Sequence, residues 1–189
     1  MPSRADMSLL AAQPVVLITG ISAAGKSTVA ERLASRFESG VHVKGDVFRR
    51  MVVAGRQEMT SSPSAEAWRQ LRLRYRLGAA TADTFHAAGF AVVVQDVVIG
   101  AVLTEYVEAI RSRPLVVVVL APDPAVVAAR EASREKVAYR HGPDGIADLD
   151  AALRAETPRI GLWLDTSDHE PDRTVDEIIR CGLTEGRVS

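Results

Sequence analysis

The run Gly20-Ile-Ser-Ala-Ala-Gly25-Lys26-Ser27-Thr28 has the residue types and spacing that hold a chain of phosphates. It fits G-x-x-x-x-G-K-[ST], the phosphate-binding loop or P-loop. Glycines at its ends let backbone N–H groups press against phosphate oxygens where a Cβ would intrude. Gly20, Ser22, Ala23, Ala24, Gly25, Lys26, Ser27 and Thr28 are the expected nucleotide contacts. Among them Lys26 would reach the β- and γ-phosphates, and the Ser27 hydroxyl would ligate Mg²⁺. The expected ligands are therefore ATP and Mg²⁺.

Two carboxylates and two sets of arginines join this loop as candidates. Asp46 follows Lys44-Gly45 at the end of a strand-like run, where ligands of an open α/β sheet bind. A carboxylate there can take the proton of an attacking hydroxyl, orient that hydroxyl, or hold Mg²⁺ through water. Capping the next helix is a compatible structural role. Asp96, after Val94-Gln95, is a second carboxylate suited to the Mg²⁺ shell or to the acceptor. Arg49 and Arg50 lie within about a turn of Asp46, and suit an acceptor's polar groups or phosphate charge. Arg130, Arg134 and Arg140 run toward His141-Gly-Pro-Asp-Gly145, the layout of a lid that brings guanidinium charge to a transferred phosphoryl group. Arg130 stacking on the base is another reading, and surface pairing with Glu131 and Glu135 the structural one.

Positioning these groups requires strands that alternate with helices. Apolar runs of strand length fall at Val15–Thr19, Val41–Gly45, Phe90–Gln95, Leu115–Ala121 and Ile160–Leu164. Helical patterns fall near 26–38, 46–55, 64–88, 101–112, 123–140, 147–156 and 172–182. The alternation predicts an α/β fold with a mostly parallel sheet. On the 64–88 helix, Trp68, Leu71, Tyr75, Ala79, Ala82 and Phe85 share a face beside an Arg69, Arg72 and Arg76 stripe. That reads as a core face with a solvated flank, or as an aromatic wall over an acceptor. Residues 55–64 and 141–145 are the polar breaks, expected as mobile loops.

A chain of 189 residues with 47% hydrophobic content suits one domain, expected at 14–189. Residues 1–13 have neither a signal-peptide pattern nor a membrane-length apolar run, and are expected as a flexible extension of a cytoplasmic protein. A net charge of −1 gives no reason to expect nucleic acid or an anionic membrane as partner. The single cysteine, Cys181, excludes an internal disulfide and a cysteine-built zinc site, and is expected to be buried or half-buried on the last helix. His42 and His86 read as structural, and no His/Asp/Glu group has metal-ligand spacing.

Taken together, the P-loop at 20–28, Asp46 and the arginine-bearing segment leading to Gly145-Ile-Ala-Asp resemble chloramphenicol phosphotransferase and related small P-loop kinases. The tail Gly161-Leu-Trp-Leu-Asp165-Thr-Ser167 with Thr174-Val-Asp-Glu-Ile-Ile fits the same layout, so the resemblance spans roughly 14–183. It is similar more broadly to gluconate, shikimate and adenylylsulfate kinases, and more distantly to zeta-type toxin kinases. The resemblance implies a single domain with a parallel sheet in the order 2-3-1-4-5 and a lid. It also implies that Asp46 serves as base for a hydroxyl acceptor. The arginine-rich 49–76 segment departs from a plain antibiotic pocket. The expected activity is phosphoryl transfer from ATP to a hydroxyl of an antibiotic- or metabolite-like molecule, with a nucleotide or nucleotide-sugar acceptor, or a nucleotide-dependent switch, as the alternatives.

Overall fold

The computed structural model describes residues 6–60, 62–132 and 142–188. Three strands form the centre of its sheet: β1 (Val15–Thr19), β3 (Ala91–Gln95) and β4 (Leu115–Leu120), each buried along its whole length. Burial on both faces is why these segments read as unbroken runs of β-branched and aliphatic residues. With β2 (Gly40–Lys44) and β5 (Leu162–Leu164) they make a parallel sheet in the order β2-β3-β1-β4-β5. That is the order the resemblance implied. β6 (Arg187–Val188) adds antiparallel pairing to the start of β4; two residues carry no periodicity from which to read a strand.

Strand alternation divides the core into two layers. Val16, Ile18, Val93 and Val118 face α2 (Lys26–Ala34) and α8 (Pro171–Glu185), meeting Leu33, Val175 and Ile178. Val15, Leu17, Val92 and Val94 face α4 (Ala65–Ala87) and α5 (Val102–Ala109), meeting Tyr75, Ala79, Leu103 and Tyr106. Each large aliphatic side chain so buried contributes about 1.5–3 kcal/mol. On α4 the predicted face packs inward from Trp68 to Ala82. Phe85 departs from it, remaining 38% exposed and meeting Phe90 edge-on.

Several boundaries differ from expectation. Residues 6–11 form α1 (Asp6–Ala11), and Leu9 is fully buried in the α8 layer, so this part of the segment read as flexible is packed. After β4, α6 runs Pro124–Ala132 and α7 runs Gly142–Glu156. Gly142 to Gly145, read as a polar break, are thus helical, while Arg134, Arg140 and His141 lie outside the described residues. Cys181 is buried on α8, as expected, and burial pushes its thiol up to about 11. Among the described residues no helix is long and apolar enough to cross a membrane.

Candidate active site

The sheet brings three loops to one edge. At the carboxyl ends Ile18 pairs with Gln95, and Gln95 also pairs with Lys44. The loop after β1, Asp96 after β3 and Asp46 after β2 therefore stand in a row at inter-strand spacing, about 5 Å per step.

The first loop has the strain a phosphate cradle needs. Gly20 has φ +144, and a Cβ there would stand 2.4 Å from the Leu120 carbonyl oxygen. Ala23 (φ 61) and Gly25 (φ 94) are left-handed, a region costly for any residue with a Cβ. Gly25 is the N-cap of α2, and no side chain caps that helix. The positive end of the helix lies behind this loop, where an anion is favoured. Lys26 is 7% exposed and its Nζ donates to the Ile21 carbonyl (2.7 Å), folded back on the loop that carries it. Ser27 and Thr28 are exposed on the first turn. These residues fit a nucleotide's phosphates.

Asp96 occupies the middle of the row and is almost wholly buried. Arg74 Nε donates to its Oδ2 (2.8 Å), the Arg74 Nη2 reaches Oδ1, and the Val97 N–H donates to Oδ1 (2.7 Å). A Cβ on Gly45 would fall 1.9 Å from Asp96 Oδ2, so only glycine lets β2 turn into α3 (Gly45–Met51) above this pair. Thr19 Oγ1 exchanges hydrogen bonds with the Val98 backbone (2.9 and 3.1 Å), pinning the segment after Asp96 to the P-loop strand. The sequence points to Asp96 as a candidate but gives no signal for Arg74. Its 22-residue separation from Asp96 becomes contact only through the packing of α4 on β3.

Asp46 stands at the first turn of α3 but caps nothing. Arg49 Nε donates to its Oδ1 (3.0 Å) and Arg50 Nε to its Oδ2 (2.7 Å). Partial burial works to raise the Asp46 carboxyl, and the hydrogen bonds and charges of Arg49 and Arg50 outweigh it, holding the group below the usual carboxylate range. Arg49 continues to Glu58, where Nη1 meets both carboxylate oxygens at 2.6 Å. Much of the basic segment is spent in such pairs, Arg69 with Glu66 and Arg72 with Glu105 among them. Arg72 also lies over Trp68 (5.6 Å), beside a groove of about 510 Å³ along Ile99–Val102 that Glu105 and Glu156 complete.

On the other side of the P-loop, Arg130 Nη2 donates to the Thr166 carbonyl (3.0 Å) in the loop after β5. Asp123 accepts from the Ala125 N–H (2.8 Å), capping the start of α6. His42 is half-buried on β2; burial, then the Lys44 charge, lowers it to about 4, so it is neutral at physiological pH. Among the described residues no three His, Cys, Asp or Glu side chains gather as a metal site.

A sequence model described as AAA domain matches residues 15–158, most of the chain and all three loops of the row. The chain belongs to this AAA domain family. No curated protein sequence matches it. The AAA domain fold is shared with a sugar kinase from Janibacter sp. HTCC2649 at 19% identity and TM-score 0.62, covering 90% of this chain and 94% of that one. A shikimate kinase from Acinetobacter baumannii, in complex with shikimate, gives 16%, 0.60, and 95% and 97% coverage. The tunicamycin resistance protein of Deinococcus radiodurans gives 17%, 0.63, and 93% and 98%. At such identities the likeness is one of fold, and the fold is that of the small P-loop kinases.

Proposed function

We propose that this AAA domain transfers the γ-phosphoryl group of ATP to a hydroxyl of a small molecule, with Asp46 receiving the hydroxyl's proton. The observation that carries the reading is the row of P-loop, Asp96–Arg74 pair and Asp46 at one sheet edge. It has a phosphate cradle at one end and a half-buried carboxylate at the other. The nucleotide supplies the phosphoryl group, and Mg²⁺ neutralises charge on its oxygens.

The protein's part is positioning and electrostatics. Lys26 and the α2 N-terminus hold phosphate oxygens, and the exposed Ser27 hydroxyl is the Mg²⁺ ligand. Asp96, with both oxygens engaged, serves as the fixed floor beneath Gly45 rather than as a free ligand. Asp46 Oδ1 or Oδ2 accepts the acceptor's O–H and keeps its proton once the new O–P bond forms. Arg130 approaches from the β5 side, and Arg134, outside the described residues, belongs to the same proposed lid. An acceptor that already carries phosphate, a nucleotide or nucleotide-sugar, is favoured by Arg49 and Arg50 on Asp46, with Arg56 on neighbouring Glu58.

The test is turnover of ATP and GTP in parallel, with Mg²⁺, against neutral, carboxylated and phosphorylated hydroxyl compounds, followed by mass spectrometry. A product heavier by one phosphoryl group is expected. Slow hydrolysis with no product, at the same rate in Asp46→Asn, would instead indicate a nucleotide-dependent switch.

A further inference from the structure

One guanidinium links two carboxylates beside the proposed acceptor position. Arg49 gives Nε to Asp46 and Nη1 to Glu58, both Glu58 oxygens lying at 2.6 Å. Arg56 Nε reaches the same Glu58 at 3.4 Å. Glu58 is brought there by a loop that α4 fastens: Gln70 donates through Nε2 to the Gly55 carbonyl and accepts from the Gln57 N–H, both at 2.9 Å. The same Nε2 donates to Glu66 Oε1 (2.7 Å), which fixes the amide's orientation. Glu58 is thus held at the end of a short braced segment, its charged end on the guanidinium nearest Asp46.

Asp46 meanwhile has both oxygens taken, Oδ1 by Arg49 and Oδ2 by Arg50. Each oxygen keeps a lone pair for an acceptor hydroxyl, but taking that hydroxyl's proton removes the negative charge with which both arginines are paired. A neutral acceptor would have to break an ion pair and return nothing for it. An acceptor with its own anion can take the guanidinium in exchange, so that no charge is stranded.

Building on the reading that the acceptor meets Asp46, we infer that the acceptor carries an oxyanion, a carboxylate or a phosphate, which replaces Glu58 on Arg49 and draws that arginine away from Asp46. Glu58 is an internal stand-in for this group. Both source anions match the guanidinium fork, which binds either through paired N–H donors. The exposure of Arg49 (34%) and Glu58 (47%) leaves the exchange open to solvent and to an incoming ligand.

The experiment measures anion binding by the full chain saturated with Mg²⁺ and AMP-PNP, titrating inorganic phosphate in one arm and malonate in the other. Wild type, Glu58→Gln and Glu58→Gln/Arg49→Gln are compared by calorimetry. Any phosphate taken by the P-loop is common to all three proteins and cancels. Removing the stand-in should tighten binding of at least one anion about fivefold, the size of one exposed ion pair, and the added Arg49→Gln should abolish that gain. The arm with the larger gain names the anion; equal gains assign a subsite tolerant of both. No gain in either arm, or a gain that survives Arg49→Gln, overturns the inference and leaves Glu58 as a tether of its loop. Turnover is not the readout, so an anion site in a protein that makes no phosphorylated product would refute the kinase reading alone.

Discussion

At the scale of single residues, Asp46 is pulled two ways. Its arginines guarantee an ionised carboxylate at neutral pH, yet they lower its affinity for the proton it is proposed to accept. Because the folded value is depressed, the pairing stabilises the protein above the ordinary Asp range and is lost as pH falls through the lower folded value. At 36% side-chain exposure that contribution to stability is small. Its effect on rate is easier to see. Arg50→Gln removes one hydrogen bond and one charge, so the Asp46 carboxyl should rise and the acid limb of the pH–kcat/KM profile should move to higher pH. An acid limb that stays in place would mean that some other group sets it.

Among elements, the β2–α3 turn and α4 decide whether Asp46 is held in place. Arg74 is 14% and Asp96 0% exposed in their side chains, so each needs the other. Truncating one partner strands a buried charge, and Arg74→Met should cost about 3–5 kcal/mol in urea unfolding. Replacing both, as Arg74→Met/Asp96→Leu, should recover much of that loss, which separates a stranded charge from lost packing. What the sequence made legible follows the same division. The P-loop, β1 and α2 are local, a contiguous pattern with its own turn glycines; β1 spans the residues read for it, and α2 starts where it was read but ends at Ala34 rather than 38. The fully buried strands were equally plain, because covering both faces leaves no polar residues to blur the run. Arg74 and Glu58 were not legible as site residues. Arg74 reaches Asp96 only through the rotation of α4 against the sheet, and Glu58 reaches Arg49 only through Gln70's grip on its loop. Such relations depend on helix phase and loop closure, neither of which spacing encodes. The antiparallel β6 and the short α1 were missed because two and six residues are too few to show a period.

For the molecule as a whole, the AAA domain's sheet edge is where ligand binding and folding meet. The P-loop joins β1 to α2, both in the larger core layer with α8 and Leu9. Nucleotide bound there should stabilise the entire domain rather than a single loop. At a hundredfold excess over Kd the gain is about 2.7 kcal/mol, readable as a rise in Tm with Mg²⁺–ATP. Lys26→Ala should abolish most of that rise, and its ligand-free Tm, measured alongside, reports separately the loss of the buried bond to the Ile21 carbonyl.

In the proposed mechanism Asp46 acts on the acceptor and the P-loop on the nucleotide. The direct test compares Asp46→Asn with wild type for nucleotide Kd and for turnover of the acceptor that the panel identifies. Asparagine keeps the shape and the hydrogen-bonding oxygen but cannot accept the proton. We expect turnover to fall by about 10²–10⁴-fold with nucleotide affinity unchanged. Full turnover in the variant, or a loss of nucleotide affinity that accounts for the whole fall, would contradict Asp46 as the base.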